Sequence, residues 1–311
     1  MRVVVAGGTG FLGAPLVSLL SHDGHEVVVL TRGSPGSRRS VPSNVSFTPW
    51  APNGETGAWA AAVNGAEAVV NLAGESIAAT RWSQEQKTRI LDSRVQATRS
   101  LVKAIRDAAS PPQTFVSGSA VGYYGPLGDQ VVTEDGRPGS DFLATVCAEW
   151  EREAAPVGNR TRLVCVRTGL VLEKDGGALP QMLPPFKFFV GGPVGTGHQY
   201  WPWIHRDDWL ALVRWSIATP SVTGALNATA PNPVTNAEFA RALGRALHRP
   251  AFMPAPAFAL RLMLGEMADG LLLSGQRAVP AKATGTGFTF KYSHVDDALG
   301  AIFSNTNRGE R

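Results

Sequence analysis

The sequence predicts an α/β fold, a doubly wound parallel sheet followed by a smaller helical lobe, and three observations carry that prediction. Short β-branched runs, residues 3–5 (VVV) first among them, are too brief for helices and suit strands buried on both faces. From the start to about Leu172 such runs alternate with stretches of helical period, the pattern of a parallel sheet covered on both sides. The first run enters at once the glycine-rich turn Gly7-Gly8-Thr9-Gly10-Phe11-Leu12-Gly13, and residues 14–20 then read as a helix.

That turn has the Rossmann-like form. Gly7 or Gly8 permits the tight bend, Gly10 lets backbone approach a pyrophosphate, and Gly13 lets helix and strand pack closely. The helix N-terminus then points free N–H groups at an anion. A second strand, residues 26–30 (EVVVL), follows at the spacing a dinucleotide site needs. At its end, where an NAD site carries Asp or Glu, stand Thr31 and Arg32. A guanidinium suits a phosphate monoester, so Arg32 points to the 2′-phosphate of NADP. Arg38 and Arg39, further along the same loop, read as solvated.

Residues 66–73 (AEAVVNLA) form the next buried strand and end in Leu72-Ala73-Gly74-Glu75, small residues beside the crevice. Ser83 and Gln86 have capping-box form and open a helix to about Ala109, with Leu91, Val95, Leu101, Val102 and Ile105 on one face. Pro111 and Pro112 stop it. Residues 114–116 give a strand running into Ser119, Tyr123 and Tyr124; a helix over 142–154 and a strand over 162–167 follow. Residues 175–203, rich in Gly, Pro and aromatics, form a long excursion expected to be a lid or binding loop on the substrate side. A helix to about Ala218 comes next, capped by Asp207 or Asp208, and Thr235 with Glu238 caps another reaching about His248. The division expected is 1–230 for the nucleotide domain and 231–311 for the lobe.

Composition narrows the partners. The chain is 44% hydrophobic and 17% charged, ordinary for a globular protein. No apolar run is long enough to span a membrane, and a first strand beginning at Arg2 leaves no room for a signal peptide. Cys147 and Cys165 have no metal-ligand spacing and the histidines none either, so no metal is expected, and the default location is cytoplasmic. With a net charge of +4 and scattered basic residues, nucleic acid is not an expected partner, and with no spanning run neither is a membrane; a small-molecule substrate is.

GGTGFLG, NLAG, SGSAVGYYG and WIHRDD, in this order, resemble the extended short-chain dehydrogenase/reductases of the NAD(P)-dependent epimerase/dehydratase family. NLAGESI, VRTGLVL, GGALPQMLPPFK, WPWIH and the tail from PAFALRLMLGEM are similar to its atypical "epimerase family protein" subgroup, which ends in a C-terminal domain of unknown function. The resemblance implies NADP binding by the glycine loop, Thr31, Arg32, Leu72, Ala73, Gly74 and Arg94. It also exposes a departure. Anchored on Glu151, the family's catalytic Tyr falls at Leu143 and its Lys at Cys147, while its Asn falls at Arg94; only the serine position, Ser119, is kept. Ser119 and Tyr124 are therefore the catalytic candidates, Tyr124 as a phenol made more acidic by a nearby Arg94. Glu75, directly after NLAG, reads equally as an acid/base or ribose contact and as a solvated loop carboxylate, and His205 reads as structural. Two functions follow: an NADP-dependent oxidoreductase or epimerase on a small polar substrate, or a catalytically silent NADP-binding protein.

Overall fold

The computed structural model describes residues 1–33 and 41–304. Seven strands form one parallel sheet: β1 (Arg2–Ala6), β2 (Glu26–Thr31), β3 (Val45–Pro49), β4 (Ala68–Asn71), β5 (Thr114–Ala120), β6 (Arg162–Thr168) and β7 (Gly224–Ala228). Their order is β7-β6-β5-β4-β1-β2-β3. The chain therefore winds one way from β1 to β3 and the other way from β4 to β7. Between β1 and β4 lies the switch point, where such sheets open a crevice at their carboxyl ends.

Helices cover both faces. On one side α1 (Gly13–His22) shares a core with Val3, Val5, Val27 and Val29. On the other, α2 (Gln84–Asp107) and α3 (Phe142–Ala154) bury themselves against the opposite face of the strands; α2 contributes Leu101, Val102 and Ile105 there. Alternate residues of β1 thus enter different cores, as a two-sided strand requires. On α2 it is Ile90 rather than Leu91 that is fully buried.

Two strands were not expected from the sequence. β3 is a half-exposed edge strand and β7 a short one of small residues. The excursion is not a plain loop either. It contains α4 (Leu179–Lys187), which carries Pro184 and Pro185 inside it. Its aromatic part, Trp201 and Trp203, joins a third core with Phe239 and Leu243 of α6 (Asn236–Leu247) and Leu299 of the final helix, Val295–Ser304. The excursion therefore packs with residues beyond 231. Between α4 and α6 runs α5 (Arg206–Ala218). After α6 comes α7 (Ala257–Leu264), none of whose residues is buried.

The α5 cap also differs from expectation. Neither aspartate caps it; His205 Nδ1 accepts from the Asp207 N–H at 3.0 Å. Asp208 instead accepts from the Lys291 and Tyr292 N–H groups at 2.8 and 2.9 Å, tying the C-terminal segment to α5. Burial holds His205 below the usual histidine range, against the pull of Asp207, and its place in the structure is the cap of α5.

Candidate cofactor and active site

The glycine turn is built to bring β1, the β4 end and α1 together. Gly7 has φ +77°, and a Cβ there would stand 2.6 Å from the Leu72 carbonyl carbon. A Cβ on Gly13 would stand 2.1 Å from the Gly7 carbonyl oxygen, so α1 can start this close to the strand only with glycine. Gly10 donates to the Gly7 carbonyl at 3.1 Å and closes the loop. No side chain caps α1. Thr9 and Gly10 are exposed, and Phe11 is half-buried beneath Gly176 and Gly177. Leu12 packs on the first core.

The opposite wall is the β4 end. Buried Asn71 donates to Thr98 Oγ1 at 2.9 Å and accepts from the Ala73 N–H at 3.2 Å, which fixes the path of Leu72, Ala73 and Gly74 to α2. Arg94, also on α2, donates through Nη1 to the Glu75 and Ile90 carbonyls at 3.0 and 2.9 Å. Its guanidinium lies 5.1 Å from the Trp150 ring and against Gly74. Nε and Nη2 make no hydrogen bond among the described residues, and no carboxylate pairs with it. Burial lowers its pKa, with weaker opposing effects of Cys147 and Glu75. A desolvated cation with an unused donor edge has the chemistry to accept an anion or a ribose hydroxyl.

At the end of β2, Thr31 is buried and accepts from the Gly33 N–H at 3.3 Å, turning the chain so that Arg32 is exposed. Arg32 has no ion-pair partner among the described residues. Arg38 and Arg39 lie outside the described residues.

The catalytic candidates separate. Ser119 donates to Glu151 Oε1 at 2.6 Å. Glu151 is gripped by Arg167 through Nε and Nη2, both at 2.8 Å. Tyr124 is not beside Arg94. Its phenol is 1% exposed, donates to Asn227 Oδ1 at 2.6 Å and accepts from Arg167 Nη1 at 2.9 Å. Burial pushes that phenol up to about 12 despite Arg167, the reverse of the acidification expected. Arg167 also donates to the Glu134 carbonyl at 3.0 Å and stacks 3.5 Å from the Tyr123 ring; burial opposes its charge, but Glu151 more than offsets that and its pKa is raised. Beyond Tyr124, the Asn227 N–H donates to Glu134 Oε1, which also accepts from the Lys282 N–H. Sequence reasoning missed Arg167, Asn227 and Glu134. RLVCVR carried one signal, a charge at the end of an otherwise buried strand, which needs a partner.

Leu143 faces Gly122 and Cys147 is buried. Burial pushes the Cys147 thiol up to about 12, with the Ala120 amide and Arg94 opposing, so it is protonated at neutral pH and inert.

The model of the NAD dependent epimerase/dehydratase family matches residues 3–227 of this chain. The chain belongs to that family. A domain of unknown function, DUF1731, matches residues 255–302. An Arabidopsis thaliana protein named "Epimerase family protein SDR39U1 homolog, chloroplastic" is 44% identical over 97% of this chain and 86% of its own length. "Epimerase family protein ML0860" of Mycobacterium leprae is 40% identical over 96% of this chain and 94% of its own. Among solved structures, human epimerase family protein SDR39U1 (isoform 2), crystallised with NADPH, superposes with a TM-score of 0.88 at 37% identity, covering 98% of this chain and 100% of that one. The superposition, over nearly the whole of both chains, shows that the human protein shares this fold.

Proposed function

We propose that this chain binds NADP(H) and works as an oxidoreductase or epimerase on a small polar substrate. The observation that carries the reading is the β1–α1 turn. Glycine at 7 and 13 lets the turn pack against the Leu72 backbone and lets α1 start against the Gly7 carbonyl, where any Cβ would collide, and so sets the N-terminus of a helix that no side chain caps beside the crevice. The NADPH held by the human relative supports the same choice. Bound there, the cofactor supplies or accepts a hydride.

The residues divide the work by chemistry. Gly7, Thr9, Gly10, Phe11, Leu12 and Gly13 take the pyrophosphate on backbone N–H groups. Thr31 positions Arg32, whose guanidinium selects a 2′-phosphate. Leu72, Ala73 and Gly74 form the small-residue wall, and the free edge of Arg94 faces an anion or a ribose hydroxyl. Ser119 is the hydroxyl left to hold a substrate oxygen, with Glu151 as the group that receives its proton. Tyr124 braces this arrangement from behind. Cys147 and Cys165 are buried unpaired thiols, which suits a reducing cytoplasmic setting.

A second reading, a catalytically silent NADP(H)-binding protein, is favoured by one observation: Leu143 and Cys147 occupy the dyad positions and neither can exchange a proton. One experiment separates them. NADPH absorbance is followed over a panel of small carbonyl compounds and sugar nucleotides, with binding measured in parallel. Turnover lost in Ser119→Ala supports the enzyme; tight binding without turnover on any panel member supports the silent protein.

A further inference from the structure

On the side formed by the excursion and the C-terminal lobe, two segments run together. The Met253 N–H donates to the Gly191 carbonyl at 3.1 Å, the Ala255 N–H to Pro193 at 2.8 Å and the Gly195 N–H to Ala255 at 2.9 Å. At one end of this ribbon Phe188, Phe189, Phe252 and Met253 are exposed, the two outermost phenylalanines, Phe188 and Phe252, by 77% and 71%. Phe189 has φ +62°, a left-handed backbone that a bulky residue rarely adopts. α7 follows directly, and its Phe258 and Leu262 are 74% and 78% exposed. Groups this large, this exposed and this close in the chain mark an interaction surface.

The charge around them says which kind. Neither 176–206 nor 239–265, the two stretches that build this face, contains an Asp or a Glu. They carry Lys187, Arg206, Arg241, Arg245, Arg249 and Arg261. Arg206, Arg245 and Arg261 pair with acids from outside these stretches. Lys187 and Arg249 have no ion pair among the described residues, and Arg241 makes no direct one, although its charge is felt by Glu238. The Arg249 guanidinium lies 4.6 Å from the Phe189 ring. Arg241, His248 and Arg249 together with Phe252 line a surface hollow of about 700 Å³.

We propose that this face binds the surface of an anionic lipid bilayer, with Phe188, Phe189 and Phe252 among the acyl chains and Arg241 and Arg249 at the headgroup phosphates. A second copy of the chain fits poorly, because a symmetric contact sets unpaired cations against unpaired cations. Side chains exposed by more than two thirds stand out from the surface instead of lining a recess, which suits insertion at an interface. Long basic side chains lay their stems along such a surface and keep their charge at the phosphates. No described helix is long and apolar enough to cross a membrane, so the contact is superficial. The expectation of no membrane partner rested on that spanning criterion alone.

The test is flotation of the purified full-length protein with vesicles of phosphatidylcholine, and of phosphatidylcholine mixed with phosphatidylglycerol. Two double variants are run beside it: Phe188→Ser with Phe252→Ser, and Arg241→Gln with Arg249→Gln. Thermal melting checks that each is folded. Binding is expected with the anionic vesicles only, weakened by salt and by about tenfold or more in each double variant. Absence of binding by the folded wild type to anionic vesicles at low salt overturns the proposal. So does binding that both double variants retain in full. Self-association in sedimentation that the serine variants dissolve also overturns it, by showing that a second copy covers the face.

Discussion

The Ser119 hydroxyl lies 2.6 Å from Oε1 of Glu151, a carboxylate that Arg167 holds with two nitrogens. β5, α3 and β6 are thereby joined at the carboxyl end of the sheet, beside the crevice. Through Tyr124, Asn227 and Glu134 the same chain of bonds reaches β7 and the Lys282 amide. The family's dyad positions are apolar or inert, and this polar network occupies the neighbouring space instead.

Removing Arg167 leaves Tyr124 and the Glu134 carbonyl without a donor, and leaves Glu151 a largely buried carboxylate held only by the Ser119 hydroxyl. The Arg167 side chain is 5% exposed and that of Glu151 15%. Arg167→Met should therefore lose about 3–5 kcal/mol of stability in urea unfolding. Arg167→Lys should restore little of it, because one ammonium cannot reproduce the two-pronged grip and also reach Tyr124. A loss below about 1 kcal/mol would show that the pair is dispensable.

Tyr124→Phe deletes a hydroxyl that satisfies both Asn227 and Arg167. About 1–3 kcal/mol of stability should go with it. NADPH affinity and any turnover should stay at the wild-type level. Turnover abolished with stability intact would return the phenol to the chemistry.

Alkaline pH should destabilise the fold through three buried acids. Tyr124 rises from 10.0 to about 12, and Cys147 and Cys165 each from 9.0 to about 12, all mainly by burial. Groups with raised folded-state pKa keep their protons in the native state, so their stability is fully present below the unfolded values. It is lost as pH rises from about 9 towards 12. Urea midpoints should fall steadily across that window, and less steeply in Cys147→Ser with Cys165→Ala. On the acid side His205, depressed by burial, contributes stability above its ordinary 6.5 that is lost as pH falls through its folded value.

Within the glycine turn, two substitutions should behave oppositely. At Gly10 the nearest atom to an added Cβ is the Gly7 oxygen at 3.4 Å, so Gly10→Val should fold but bind NADPH at least about tenfold more weakly. At Gly13 the same oxygen is 2.1 Å away, and Gly13→Ala should melt markedly lower before cofactor is considered. Calorimetric titration and thermal melting of both proteins check this pair. Equal NADPH affinity in a folded Gly10→Val protein would contradict the pyrophosphate assignment.

Much of this was legible in the sequence where the signal is local. β1, β2, β4 and β6 each centre on an apolar run and β5 opens on a short one, Phe115-Val116, while the glycine turn is contiguous with a strand before and a helix after. β3 alternates with no fully buried residue, and β7 begins at Gly224 with small residues, so neither announces itself. α4 was hidden by Pro184 and Pro185, which usually argue against a helix interior. Side-chain partners resisted reading for a different reason: Tyr124 and Asn227 are 103 residues apart and meet only because β7 joins the sheet next to β6. Asp208 looked like a cap, yet a segment 83 residues later claims it. The family pattern pointed to Ser119, near the end of β5, and to Arg94, midway along α2. Their partners needed the fold.

Cofactor choice is the central claim, and paired titration of NADPH and NADH tests it most directly. Arg32 directly follows β2, exposed and without an ion-pair partner among the described residues, at the place where a carboxylate would select NAD. A hydrogen bond to a charged group contributes roughly 1.5–3 kcal/mol, or about 10- to 100-fold in affinity. The wild type should therefore bind NADPH at least about tenfold more tightly than NADH, and Arg32→Ala should narrow that gap by weakening NADPH alone. Equal affinities in the wild type, or a preference for NADH, would contradict the account.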